Sequence, residues 1–236
     1  MSWIAKTRPG SHSQSPLNSG SASSGAASKG AASAVKGIRV SNGLKDFLWT
    51  LSDINHVRLL DLGQIANSTL TFLIEHGFRV TTEDLLRSWK SFLDAKVEDH
   101  QRNPQEDEDA LDPKALAEQF LETTLVYPKE SFNAVLAWDL FDYVDTELMT
   151  RVVARLFDLL QPGGAVLALF HSRTPEQFCR YRIIEDQSLE LLPTHPAPAT
   201  HQRIFQNRAI MDLFSAFYSS KTYVGRDQLR EGLFIK

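Results

Sequence analysis

The chain has 236 residues, 42% of them hydrophobic and 23% charged, with a net charge of -4 and a pI near 6.0. Those figures describe an ordinary protein with one sizeable domain; they supply no global attraction to nucleic acid or to an anionic membrane. No run approaches the roughly eighteen consecutive apolar residues of a membrane span. Cys179 is the single cysteine and cannot close an internal disulfide, so a reducing, cytoplasmic setting is expected.

Residues 1–36 differ from the rest. Between 11 and 33 almost every residue is Ser, Gly or Ala, which cannot offset the entropy of ordering, and a disordered tail is expected. The tail has no apolar stretch of signal-peptide length. No acid precedes Asp46, whereas Lys6, Arg8, Lys29, Lys36 and Arg39 are basic. Transit peptides share that bias, but their apolar residues at helical spacing are missing. The folded domain is expected over residues 37–236.

Leu44, Phe47, Leu48 and Leu51 recur at helical spacing and predict a helix over 41–51. A short apolar run at 56–62 predicts the first strand, followed by the loop Gly63-Gln64-Ile65-Ala66-Asn67. Asn67 or Ser68 is expected to cap the next helix, with Leu70, Phe72, Leu73 and Ile74 towards the sheet and Gly77 ending it. Residues 78–82 read as the second strand and 85–97 as a helix. The acid-rich run 98–112 reads as an exposed loop, 114–122 as a helix and 123–127 as a short strand. Phe132 to Trp138 is an apolar strand ending at Asp139. Asp145 is expected to cap an amphipathic helix lined by Leu148, Val152, Leu156 and Leu160. Gln161-Pro162-Gly163-Gly164 breaks it, and 165–170 is a further apolar strand. Late strands are expected at 181–184, 189–192 and 229–235, with a helix at 209–217. This alternation predicts an α/β fold: a Rossmann-like three-layer sandwich with a mostly parallel sheet of about seven strands.

Strand, turn, helix, strand and acid, in that order, outline a nucleotide site. The turn clamps one end of the ligand and the second acid accepts hydrogen bonds from a ribose diol. Leu60-Asp61-Leu62-Gly63 resembles the start of the glycine loop of class I S-adenosylmethionine-dependent methyltransferases. Residues 125–135 resemble that family's entry into its fourth strand, and Leu159-Leu160-Gln161-Pro162-Gly163-Gly164 its turn into the fifth. The resemblance runs from about Val57 to Phe170. It implies S-adenosylmethionine as cofactor, with Asp61, Gly63, Asn67 and Asp139 along the loop and strand ends and Asp84, beside Glu83, on the ribose. The family's second and third glycines are Ile65 and Asn67 here. Asn tolerates the left-handed backbone conformation, whereas a β-branched side chain such as Ile65 would project towards the cofactor. Glu122 is the candidate nearest to the family's adenine contact.

Asp61 doubles as an acid that satisfies backbone amides at a strand end, Asp84 as a helix cap, and Asp139 as a turn residue. Asp139 and His171 are the candidate bases, His171 also reading as a satisfied loop histidine. His195 and His201 flank a Pro-rich loop, 193–198, that reads as a lid over the substrate. No metal-ligand spacing joins these histidines to Cys179, so no metal site is expected. Cys179 reads as a packed thiol, and Trp138, Phe141 and Tyr143 as core or ligand-stacking rings. Methyl transfer to a small or medium-sized acceptor needs alignment more than a dedicated acid or base, consistent with the absence of a strong constellation. The alternative is a methyltransferase-like binding or scaffold protein without catalysis, which the altered glycine loop motivates. A nicotinamide enzyme is disfavoured by the missing Gly-x-Gly-x-x-Gly, and no nucleic-acid or membrane partner is expected.

Overall fold

The computed structural model describes residues 37–102, 112–225 and 227–236. The expected tail, 1–36, and most of the expected acidic loop lie outside the described residues. In chain order the first elements are β1 (Gly37–Val40), α1 (Asn42–Thr50), β2 (Arg58–Asp61), α2 (Asn67–Glu75), β3 (Arg79–Thr82) and α3 (Leu85–Arg102). They are followed by α4 (Pro113–Thr123), β4 (Phe132–Trp138), a 3₁₀ turn (Leu140–Asp142), α5 (Thr146–Leu159) and β5 (Leu160–His171). The chain continues through β6 (Cys179–Glu185), β7 (Ser188–Pro193), α6 (Asn207–Leu213), β8 (Ser219–Val224) and β9 (Leu229–Ile235).

The main sheet has six strands in the order β3-β2-β4-β5-β9-β8. The first four run parallel, and β9 is antiparallel to both β5 and β8. Every residue of β4 is buried because both faces of the sheet are covered, as expected of a parallel strand without polar alternation. Successive side chains point to opposite faces. Val135 and Ala137 join the α3–α6 side with Trp89, Phe120, Leu148 and Leu156. Ala134, Leu136 and Trp138 join the other side, with Leu44 and Phe47 of α1 and Leu73 of α2.

Local sequence explains the helix boundaries. The Asp145 carboxylate accepts the Leu148 N–H at 2.9 Å and starts α5, which buries Leu148, Val152, Leu156 and Leu159. Each such side chain contributes roughly 1.5–3 kcal/mol. Ser41 caps α1 in the same way, through the Leu44 N–H. Gly77, at φ 82°, turns the chain sharply after α2 into β3, a conformation that suits glycine.

Five expectations are corrected. The main sheet has six strands, not about seven, and residues 123–127 form no strand: Leu125 takes φ 59° and the segment is a turn. Asn67 is the first helical residue of α2, and Ala66 occupies the cap position with no side-chain bond. Ile74 is exposed, because Thr69 and Leu73 define the buried face of α2. The late strands at 181–184 and 189–192 leave the main sheet and pair with β1 in a separate antiparallel sheet, β1-β7-β6, over the α1/α2 face. The Ile183 N–H donates to the buried Thr69 Oγ1 at 3.0 Å and fastens this small sheet to α2.

Candidate functional site

From β2 the chain steps to one side, through α2 to β3. It then returns to β4 on the other side of β2, and the next parallel strand, β5, is added further out on that side. The carboxyl ends of β2 and β4 therefore flank the switch point, where open α/β sheets take their ligands. A crevice lies there, lined by residues that include Leu62, Gly63, Asp84, Trp138, Asp139 and Tyr181. Its volume is about 20 Å³, room for little more than a water. Outside it a wider cleft of about 560 Å³ shares Gln64, Asp84 and Arg180 and is walled by Ile65, Arg87, Lys90 and His195.

Asp61 ends β2 and is 2% exposed. Its Oδ1 accepts the Trp138 Nε1–H at 2.6 Å and the Gly63 N–H at 3.0 Å. Burial pushes its carboxyl up to about 6, against the pull of those two donors. Gly63 is needed for close approach: a Cβ there would run into the Trp138 ring. Trp138 itself holds φ 48°, a costly conformation for a bulky residue, at a register shift between β4 and β5. That backbone turns its indole over the β2 loop, where it stacks on Tyr181 of β6 with centroids 5.5 Å apart and rings 3° from parallel.

Asp139 follows directly and is buried. Its Oδ2 accepts the Tyr181 hydroxyl at 2.9 Å and lies 3.9 Å from His171 Nδ1. Burial pushes its carboxyl up to about 7, although the charge on His171 draws it down. Behind it the Asp142 Oδ2 accepts the His171 main-chain N–H at 2.7 Å and sits 2.8 Å from its Nδ1. Burial lowers the His171 pKa, but the Asp142 hydrogen bond and the two neighbouring acids outweigh it and leave the imidazole above its ordinary value. His171 does not line the crevice; Asp139 stands between them.

The remaining expected residues divide. Asp84 lines both crevice and cleft, and its Oδ1 also accepts the Arg87 N–H at 3.2 Å, so it is rim residue and cap together. Glu83 does not line the crevice: its carboxylate accepts the Tyr127 hydroxyl at 2.6 Å. Asn67 is exposed and borders a neighbouring groove with Arg180 and Arg182. Ile65 is 49% exposed on the wall of the outer cleft, so its side chain does not fill the crevice. Glu122 is exposed in a groove with Arg151 and Arg155, away from the crevice. Cys179 lines the crevice with its thiol pushed up by burial, which favours the protonated form.

Sequence reasoning missed two members, Tyr181 and Asp142, and placed His201 only beside the Pro-rich loop. Asp142 carried a signal, as an acid inside the otherwise apolar stretch 140–144. Burying such a group is costly unless it has partners.

No family model matches the chain, and no curated protein matches it. Solved structures do match it, those named next at TM-scores below 0.5. A Mesorhizobium loti S-adenosylmethionine-dependent methyltransferase is 13% identical at a TM-score of 0.45, covering 81% of this chain and 96% of that one. The Burkholderia thailandensis 1,6-didemethyltoxoflavin-N1-methyltransferase, with bound 1,6-didemethyltoxoflavin and S-adenosylhomocysteine, is 15% identical at 0.42, covering 82% and 76%. A Methanosarcina mazei methyltransferase is 14% identical at 0.40, covering 77% and 93%. No helix among the described residues is long and apolar enough to cross a membrane.

Proposed function

We propose that the chain transfers a methyl group from S-adenosylmethionine to a small or medium-sized acceptor. One observation carries the reading: Asp61, Gly63, Asp84 and Asp139 converge at the switch point of a mostly parallel sheet. The outer cleft has the volume of a ligand site, within the usual range of about 300–1,000 Å³. Asp84 on its rim suits a ribose diol, and the turn at Gly63 leads inward. The inner crevice fits such a cofactor in its polar partners but not in its space: the Trp138 ring must swing off Gly63 for the methionine part to enter.

When bound, S-adenosylmethionine supplies a methyl group on a sulfonium, already a good leaving group. The chain's own residues hold the acceptor in line and exclude water, and such positioning contributes about 7–11 kcal/mol. Phe178, Leu140 and Tyr181 furnish an apolar wall for this, and Asp139 is the carboxylate at its inner end able to accept an acceptor's proton. Calorimetric titration with S-adenosylmethionine and S-adenosylhomocysteine tests the assignment. Loss of a charge-assisted hydrogen bond costs about 1.5–3 kcal/mol, so Asp84→Ala is expected to weaken binding tenfold or more. Unchanged affinity in that variant removes the ribose role.

The packing of Trp138 on Gly63 also favours a second reading, a methyltransferase-like binding or scaffold protein without catalysis. Absence of heat with either ligand supports that second reading and overturns the first.

A further inference from the structure

Asp142, His171 and His201 meet beside the crevice although they lie far apart in sequence. The 3₁₀ turn supplies Asp142, the end of β5 supplies His171, and the segment between β7 and α6 supplies His201. One ligand-capable atom from each lies within 4.8 Å of the others, the one such trio of His, Cys, Asp or Glu found among the described residues. The backbone fixes the trio: the Gln202 N–H donates to the Asp142 carbonyl at 2.7 Å, which pins His201 against the turn. Tyr143 lies edge-on to both imidazoles, at 6.4 Å from His171 and 5.5 Å from His201.

Hydrogen bonding inside the trio does not use all of its polar atoms. Asp142 is 0% exposed, yet only its Oδ2 is engaged, by His171. Asp142 Oδ1, His201 Nε2 and the Tyr143 hydroxyl are buried without a hydrogen-bond partner among the described residues. An unsatisfied buried polar group costs about 1–3 kcal/mol, and more if it is charged. One oxygen and one imidazole nitrogen left over in the same cluster call for an electrophile common to both.

We propose that Asp142, His171 and His201 bind a divalent first-row transition-metal ion of the zinc type. Two imidazoles and one carboxylate suit zinc, cobalt, nickel or iron, whereas calcium and magnesium favour oxygen-only sets. Metal–ligand bonds of about 2.0–2.1 Å require tetrahedral donors to stand roughly 3.3 Å apart, a closing movement within reach of side-chain rotation from the present spacing. Three protein ligands leave a coordination position open, the arrangement of catalytic rather than purely structural zinc. Asp139, which also lines the crevice, lies 3.9 Å from His171 Nδ1, and the unpartnered Tyr143 hydroxyl belongs to the ring that lies edge-on to both imidazoles. A fourth ligand, water or an acceptor oxygen, finds its hydrogen-bond partners there. The site depends on no cofactor.

The test uses the full chain stripped with a chelator and titrated with Zn²⁺ alone by calorimetry, and with Co²⁺ followed by visible absorption. One equivalent is expected, with a rise in melting temperature on loading. His201→Ala, a change to a half-buried loop residue, is expected to weaken binding at least tenfold and abolish the thermal shift while the unloaded fold persists by circular dichroism. His76→Ala, on the exposed end of α2, serves as the control and is expected to leave binding intact. No saturable binding by the wild type overturns the proposal. So does equal affinity in His201→Ala.

Discussion

Two acids end neighbouring parallel strands, and their surroundings differ in kind. Asp61 at the end of β2 and Asp139 just after β4 are both buried, both held above the ordinary carboxylate range by burial, and each accepts a hydrogen bond from an aromatic side chain. The two aromatic donors, Trp138 and Tyr181, stack on each other and tie the acids into one unit. Asp61 is otherwise held by the Gly63 N–H, a donor that cannot titrate or move far. Asp139 instead faces His171, with Asp142 behind it. Similar burial thus yields a locked corner at one strand end and a chemically responsive one at the other.

The sharpest way to break this comparison is Trp138→Ala, which removes the element the corners share. Loss of a buried Trp ring costs about 3–5 kcal/mol, and urea denaturation is expected to show a decrease of that size. A loss below about 1 kcal/mol would mean that the ring is not packed between the two corners. Asp61→Asn comes next and tests the locked corner alone. The folded-state value near 6 lies above that of the unfolded chain, so the folded protein keeps this proton where the unfolded chain has lost it. That contribution is complete below about pH 4 and is lost as pH rises through 6. Asn still accepts from Trp138 and Gly63 but carries no charge. The variant is expected to be more stable at pH 8, by on the order of 3 kcal/mol, and nearly equal to wild type at pH 4. Melting curves at the two pH values decide it, and a gain at both would point to a cause other than charge. The smallest effect is expected for Tyr181→Phe, which keeps the stack and deletes one donor to Asp139. A cost of about 1 kcal/mol follows from a single hydrogen bond; a cost above 3 kcal/mol in the same denaturation assay would make this corner as rigid as its neighbour.

Much of the parallel half was legible because its signals are local. The strand 132–138, its terminal Asp139 and the Asp145 cap stand in the sequence as they do in the structure. The small sheet was not legible. β1 is a short strand whose partner lies far along the chain, and Leu189 and Leu191 look the same whichever sheet they join. The fate of 123–127 was misread because apolar Leu125 and Val126 suggest a strand, whereas the chain bends at Leu125. Among the site residues, Asp61 and Asp84 were visible as acids at strand ends. The packing of Trp138 on Gly63 was not, since it follows from an unusual backbone angle at position 138. The trio at 142, 171 and 201 has no fixed spacing, so only folding reveals it.

β1 and the cap of α1 are tied to β9. Glu231 of β9 receives the Ser41 hydroxyl at 3.0 Å and the Arg39 guanidinium at 2.6 Å, across separations of 190 and 192 residues. At synthesis rates of about 5–20 residues per second, Arg39 and Ser41 wait roughly 10–40 s for that carboxylate to be made. During that interval Leu44 and Phe47 of α1 lack the β5 and β9 surfaces that later cover them. A ribosome-bound nascent chain therefore leaves the apolar residues of α1 without that cover until β9 emerges, a window in which holding chaperones would be most needed.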